Sequence, residues 1–467
     1  MLVISHPPTY EAERLYIYDV LLKEFLGLEY VTKSHQSIDV RFTVEGESIE
    51  RALVVPDILF QTPADRWLTA ASLPISPLDD WDVASASMDA LALPDRIPVL
   101  YGRRLQNGSF FIRSQAGIDL GIDIFGSAFF MLTRYEEVVK QDRDNQDRFP
   151  ARASIAYQEG FLNQPIVNIY LELLWLALKE LWPGLKRKQR AFQVYLSHDV
   201  DWPFFFVGKN LLQACRLIVG SSLKQKSLPI SIQYTKSLKG VLQGDVGADI
   251  FNTFDSIMDL SEHHCLKSAF NFITVRRSEI DGNHLIDNPW IRDLMKRIHE
   301  RGHEIGLHPG YGSFRDPSQI QEGFEVLRSV CAKESIDQEI WGGRQHYLRW
   351  EAPATWQHWE DAGLDYDSTL VFADHVGFRC GTCYEYPVFN LISRRTLHLW
   401  ERPLIFMEST VLDKHYMGLS YDDAWQTISS LKHQCEIFNG DFTLLWHNSR
   451  LVDKSEIDLY RCAVAGM

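Results

Sequence analysis

From residue 191 onward, hydrophobic and polar positions fall into runs that alternate between two periods. Residues 191–197, 267–274, 303–308, 404–407 and 442–446 are short apolar or alternating runs bounded by breakers and polar clusters, the pattern of buried strands. Helical periods lie between them. Ile291, Leu294, Met295 and Ile298 fall at i, i+3, i+4 and i+7, with Pro289 ahead and Gly302 just beyond, which predicts a helix over 289–301. Residues 353–362 and 421–437 read as further helices. Strands and helices alternating at this spacing predict an α/β unit of parallel strands, in a closed barrel or an open sheet.

The chain before residue 188 reads as a smaller α/β unit. Residues 53–60 and 97–101 are short apolar runs and candidate strands, and residues 123–137 read as a helix that turns polar at Arg134. The charged stretch at 134–137, resumed at 142–148, reads as a solvated face. A helix stop followed by a basic, turn-forming stretch at 182–190 marks a boundary. Two domains are therefore expected: 1–188, of unknown role, and 189–467, the alternating unit.

Composition narrows the possibilities. The 467 residues are 45% hydrophobic and 23% charged, as in ordinary globular proteins, which sets aside disorder and coiled coil. Lys+Arg 47 against Asp+Glu 62 gives a net charge of −15, a poor start for binding nucleic acid or an anionic membrane surface. The apolar-rich helix candidate at 170–182 carries Glu172, Lys179 and Glu180, and falls short of the ~20 apolar residues of a membrane span. Seven cysteines, an odd number, do not form a disulfide framework, and the single pair Cys380 and Cys383 has no second pair to complete a zinc site. That pair reads as a turn with two half-buried thiols. No secretory pattern opens the chain, so a cytoplasmic location is expected. The 12% aromatic content suits a sugar-binding cleft, but packing in a large core is the default reading.

Candidate chemistry sits where strands end. Asp199 and Asp201 follow the run at 191–197, and period-two alternation puts both on one side with His198 on the other. Two neighbouring carboxylates repel unless a cation lies beside them. His308 ends the run at 303–308 ahead of a Gly-rich loop, and His447 stands in the same position after 442–446. In α/β barrels catalytic groups occupy that end of the strands, and imidazole is a common ligand for divalent metals.

These residues carry a resemblance. The segment from about 191 to 450 resembles the polysaccharide deacetylases of the nodulation-factor deacetylase type, carbohydrate esterase family four. Ser197-His-Asp-Val-Asp201 is similar to the family's paired-Asp motif, Gly302-His-Glu-Ile-Gly-Leu-His308 to its Gly-His-Glu-Ile-Gly-x-His segment, and Leu445-Trp-His447 to its late Leu-x-His. The resemblance implies a distorted (β/α) barrel, preceded here by the smaller α/β domain. It implies that Asp199 is the general base, Asp201 and His308 are ligands to a divalent metal, with zinc expected, and His447 is the general acid. The family's second metal histidine falls at Gly312, so His346 is the candidate third ligand. The segment holding it loosely resembles the family's Arg-x-Pro-Tyr motif, which would make Arg344 the residue that orients the catalytic Asp and Tyr347 a groove residue. Tyr311 falls beside these clusters as a sugar-stacking candidate, and Arg379, between turn residues, is a candidate for an acidic or hydroxyl-rich substrate. The expected activity is metal-dependent removal of an acetyl group from an N- or O-acetylated sugar. The alternatives are another metal-dependent amidohydrolase acting on a small C–N substrate, and a carbohydrate-binding pseudoenzyme.

Overall fold

Apolar runs separated by breakers build two sheets, seen in a computed structural model that describes residues 1–47, 51–83, 93–225 and 228–465. The first half supplies strands β1 (Leu2–His6), β2 (Tyr30–Ser34), β3 (Asp39–Val44), β4 (Ala52–Pro56), β5 (Asp79–Asp82), β6 (Arg96–Val99), β7 (Phe111–Ser114) and β8 (Gly117–Leu120). Six of them form a mixed sheet in the order β2-β1-β3-β4-β8-β7, while β5 and β6 pair as a separate ribbon. The apolar run at 53–60 is shorter as a strand than expected, because its tail winds into a helical turn at Leu59–Gln61.

The second half supplies β9 (Gln193–Val200), β10 (Ser268–Ile273), β11 (Glu304–His308), β12 (Gly342–Gly343), β13 (Tyr366–Asp367), β14 (Tyr386–Asn390), β15 (Arg395–Glu401), β16 (Phe406–Met407) and β17 (Asp441–Leu445). They form one sheet in the order β14-β15-β13-β12-β11-β10-β9-β17-β16, parallel throughout except for β14. The helix at Pro289–Glu300 lies where its period places it, burying Ile291, Leu294, Met295 and Ile298. The helices Ala354–Asp361 and Tyr421–Ile437 also form. Helices at Leu211–Gln225 and Leu228–Leu242 were not anticipated.

The expected barrel does not close. Among the described strands the sheet ends at β14 on one side and β16 on the other. The β14 end is occupied by the first half of the chain: the Tyr16 hydroxyl donates to the Pro387 carbonyl at 2.9 Å, and Glu13 pairs with Arg394 at 2.6 Å. Tyr16 and Phe129 pack on Phe389 with ring centroids 4.9 and 5.5 Å apart. One continuous hydrophobic core therefore runs from Leu2 to Val464, across the stretch at 183–192 that has no regular structure.

The charged stretch at 134–137 is not a solvated face. The helix expected over 123–137 stops at Leu132, Arg134 turns left-handed (φ 55°), and a second helix runs Tyr135–Val139. Arg134, Glu136 and Glu137 are all buried. Glu137 accepts from Arg134 Nε at 2.9 Å and from Arg379 Nε and Nη2 at 2.9 and 2.6 Å. Burial of this run is offset by partners 242 residues away, which local charge pattern cannot reveal.

Candidate metal centre and active site

Parallel strands in one sheet point their C-terminal ends the same way, so groups just past those ends converge. Asp199 lies at the end of β9 with Asp201 just beyond, His308 ends β11, and Arg344 and His346 follow β12. Glu408 follows β16 and His447 follows β17. The register sets Asn271 on β10 directly beside Asp199, and Ile273 beside His308. Strand β12 has to be Gly-Gly. A Cβ at Gly342 would collide with the Tyr366 ring, and one at Gly343 with the Leu307 carbonyl.

Asp201, His308 and His346 offer ligand atoms that all lie within 4.8 Å of one another. His308 Nε2 is 3.1 Å and His346 Nε2 is 3.6 Å from the same oxygen, Asp201 Oδ1. The His308 Nδ1 atom lies 2.6 Å from the Arg344 carbonyl, which can only accept, so Nδ1 carries a hydrogen and Nε2 is the nitrogen turned toward Asp201. Asp281 stands 3.4 Å from His346 Nδ1, a carboxylate behind a ligand imidazole. Asp201 Oδ1 is buried with no hydrogen-bond partner. An imidazole nitrogen and a carboxylate oxygen 3.1 Å apart are held together by a proton or a cation between them, and with His346 beside them the donor set fits a divalent ion. One carboxylate and two imidazoles are three protein ligands, the number hydrolytic zinc takes.

Two further pairs flank the three ligands. Asp199 accepts from Arg344 Nη1 at 2.9 Å and from Asn271 Nδ2 at 2.8 Å. Burial works to raise the Asp199 pKa, but Arg344, with His308 and His447, holds it below the ordinary carboxylate value. His447 Nδ1 lies 2.6 Å from Glu408 Oε1, and its Nε2 is 3.7 Å from Asp201 Oδ2. Burial lowers the imidazole pKa, and Glu408, then Asp201 and Asp199, raise it to about 10. A cation on Asp201 would cancel part of that rise. One group is thus held ionised and the other protonated, each by a dedicated buried partner.

Asp199, Asp201, His308, His346 and His447 line a cavity of about 240 Å³, whose wall also includes Trp202, Tyr347, Leu348, Met407, Tyr416 and Arg148. Trp202 and Tyr347 are 40% and 43% exposed, so their rings are available at the mouth. Tyr311 does not line the cavity. Its ring packs edge-on to Tyr347 at 5.4 Å and lies under the Arg349 guanidinium at 3.9 Å. Arg379 is also removed from any substrate: it is 2% exposed, and its guanidinium is taken up by Glu137 and the Val371 carbonyl. The Cys380 and Cys383 thiols are fully buried rather than half-buried. His198 points away from the site, with Nδ1 2.7 Å from the Trp446 carbonyl, and burial lowers its pKa to about 4.

Sequence reasoning missed Asn271, Asp281, Glu408 and Arg148. Glu408 had a usable signal, since it follows an apolar run in the way His308 and His447 do. Asn271 is a polar residue at the centre of a fully buried strand. Asp281 and Arg148 carry no local signal.

Residues 1–183 match the model of a family of unknown function, DUF7033, which covers less than half of the chain. Among curated proteins none matches. Solved structures similar to the chain include a protein described as a polysaccharide deacetylase from Mycobacterium smegmatis, at 12% identity and TM-score 0.38, covering 59% of this chain and 84% of that one. A protein described as a polysaccharide deacetylase from Pseudomonas aeruginosa PAO1 is similar at 10% identity and TM-score 0.34, covering 59% and 83%. The Puue allantoinase is similar at 11% identity and TM-score 0.33, covering 61% and 85%. Among the described residues, no helix is long and apolar enough to cross a membrane.

Proposed function

We propose that this protein is a metal-dependent hydrolase that removes an acetyl group from an N- or O-acetylated sugar. One observation carries the reading: three metal-type ligands, Asp201, His308 and His346, lie between a carboxylate held ionised by Arg344 and an imidazole held protonated by Glu408. Asp201, His308 and His346 would hold a divalent ion, with zinc expected, which would supply a Lewis acid for an acyl carbonyl and for water. Asp199, fixed by Arg344 and Asn271, takes the proton from the attacking water as its oxygen bonds to the acyl carbon. His447 gives its Nε2 proton to the departing nitrogen or oxygen as the bond to the acyl carbon breaks. Arg344 Nη2 also donates to Ser197 Oγ at 2.9 Å, so the orienting guanidinium is itself anchored.

The cavity supports a small substrate. At about 240 Å³ it lies below the ~300–1,000 Å³ of common ligand pockets, room for one sugar unit with its acetyl group. The exposed faces of Trp202 and Tyr347 suit stacking on that unit. The test is acetate release from N-acetylated sugars and oligosaccharides. Asp199→Asn should reduce turnover by about 10²-fold or more while leaving metal content unchanged. Turnover of another C–N substrate, with no acetate from any sugar, would move the assignment to a different amidohydrolase. Metal-free protein that still binds sugar would make the chain a carbohydrate-binding pseudoenzyme.

A further inference from the structure

The third candidate ligand stands on a strained turn that the first half of the chain grips. Tyr347 (φ 61°) and Leu348 (φ 55°) directly follow His346, and both are left-handed although neither is glycine. Two such residues in succession persist only where the surroundings over-determine the backbone. The surroundings here are residues 144–148. The Asp144 side chain ties that segment into a turn by accepting from the Gln146 and Arg148 backbone N–H groups at 2.8 and 3.0 Å. From it the Arg148 guanidinium donates to the Tyr347 carbonyl at 3.1 Å and to the Tyr416 hydroxyl at 3.2 Å. In the other direction Arg349 donates to the Gln146 carbonyl at 2.9 Å and to the Asp147 carboxylate at 2.7 Å. The two turns are thus clasped on both sides of Tyr347 and Leu348.

Arg148 lines the cavity, but its charge is answered by Asp144, whose Oδ2 lies 2.8 Å from both Nε and Nη2. It is a clamp on the protein's own backbone rather than a receptor for an anionic substrate. We propose that residues 144–148 are a positioning element for the metal centre: by pinning the left-handed turn they hold the His346 imidazole toward Asp201 and His308. Asp281 stands 3.4 Å behind the ring of His346, and the clasp holds the backbone that carries it. This gives the first half of the chain a part in the site, and it rests on the metal reading above.

The experiment is zinc affinity on the full chain, measured by competition with a chromophoric chelator for the wild type, Arg148→Ala, His346→Ala and the double variant. Arg148→Ala should weaken zinc binding by about tenfold or more, the size of effect typical of groups behind a metal ligand. In the His346→Ala background the same change should cost less than about twofold, because its effect passes through a ligand already removed. General loosening of the structure would lower affinity equally in both backgrounds. If Arg148→Ala does not fold, as judged by circular dichroism of the metal-free protein, Arg148→Gln serves in the same cycle. Equal losses in both backgrounds, or no loss in the variant beside a zinc-binding wild type, overturn this inference alone. A wild type that takes up no zinc overturns the metal reading and this inference together.

Discussion

The Glu137→Gln variant should be among the most destabilising single changes in the molecule, although Glu137 lies in a run that reads as surface. In the native chain its carboxylate accepts three bonds, at 2.9, 2.9 and 2.6 Å, from two guanidiniums that are themselves 1–2% exposed. The amide keeps the shape but turns one acceptor into a donor facing N–H groups. Arg134 then retains the Met131 carbonyl at 3.2 Å, the Arg379 carbonyl and Glu136 at 3.5 Å, while Arg379 retains the Val371 carbonyl at 2.9 Å. Arg134 is then left with one acid, Glu136, which also pairs with Lys140, and Arg379 loses its only ion-pair partner among the described residues. Breaking a buried pair from one side costs about 3–5 kcal/mol. Urea denaturation at pH 7 should show a loss of that size.

The pH dependence fixes the mechanism. Burial raises the Glu137 pKa, and Arg379 with Arg134 more than reverses it, leaving it below its ordinary 4.5. Its stabilisation is therefore fully present above pH 4.5 and lost as pH falls through the lowered value, so the gap between wild type and variant should shrink in acid. A loss below about 1 kcal/mol, the scale of an exposed pair, or a gap that does not contract in acid, would refute the reasoning.

Two further outcomes are expected at the site. Elemental analysis of purified protein should find about one divalent ion per chain, absent in Asp201→Ala and in His308→Ala, whose ligand atoms lie 3.1 Å apart. Glu408→Gln removes the strongest influence raising the His447 pKa. The protonated form is lost as pH rises through that value, so the alkaline limb of the kcat/KM profile should move to lower pH by roughly one to two units.

Much of the second half was legible because its signals are local. Period 3.6 at Ile291, Leu294, Met295 and Ile298 reports a face buried against the sheet, and tertiary packing did not override it. Asp199, Asp201, His308 and His447 share one signature, an acid or imidazole at the end of an apolar run, and the parallel sheet brings them together. His346 has no such run, since β12 is only two residues long, and it could be reached only through the resemblance around Arg344. The misreadings arise where distant chain decides the outcome. In the sequence Arg379 reads as a substrate ligand and Glu137 as a surface charge, yet each is the other's partner. The expected barrel is an open sheet whose β14 end meets residues before 188, and no period along the strands encodes either fact.

The continuous core has a consequence for synthesis. Tyr16 is made 371 residues before Pro387, the carbonyl its hydroxyl meets, and Phe129 likewise precedes Phe389. At about 5–20 residues per second that interval is roughly 20–70 s on the ribosome. Once Phe129 has been made, the aromatic face around Tyr16 and Phe129 is complete but uncovered for the rest of that interval. Nascent chains of this protein should therefore be held by chaperones until β14 and β15 emerge, and a ribosome stalled before residue 386 should present a sticky intermediate rather than a finished first half.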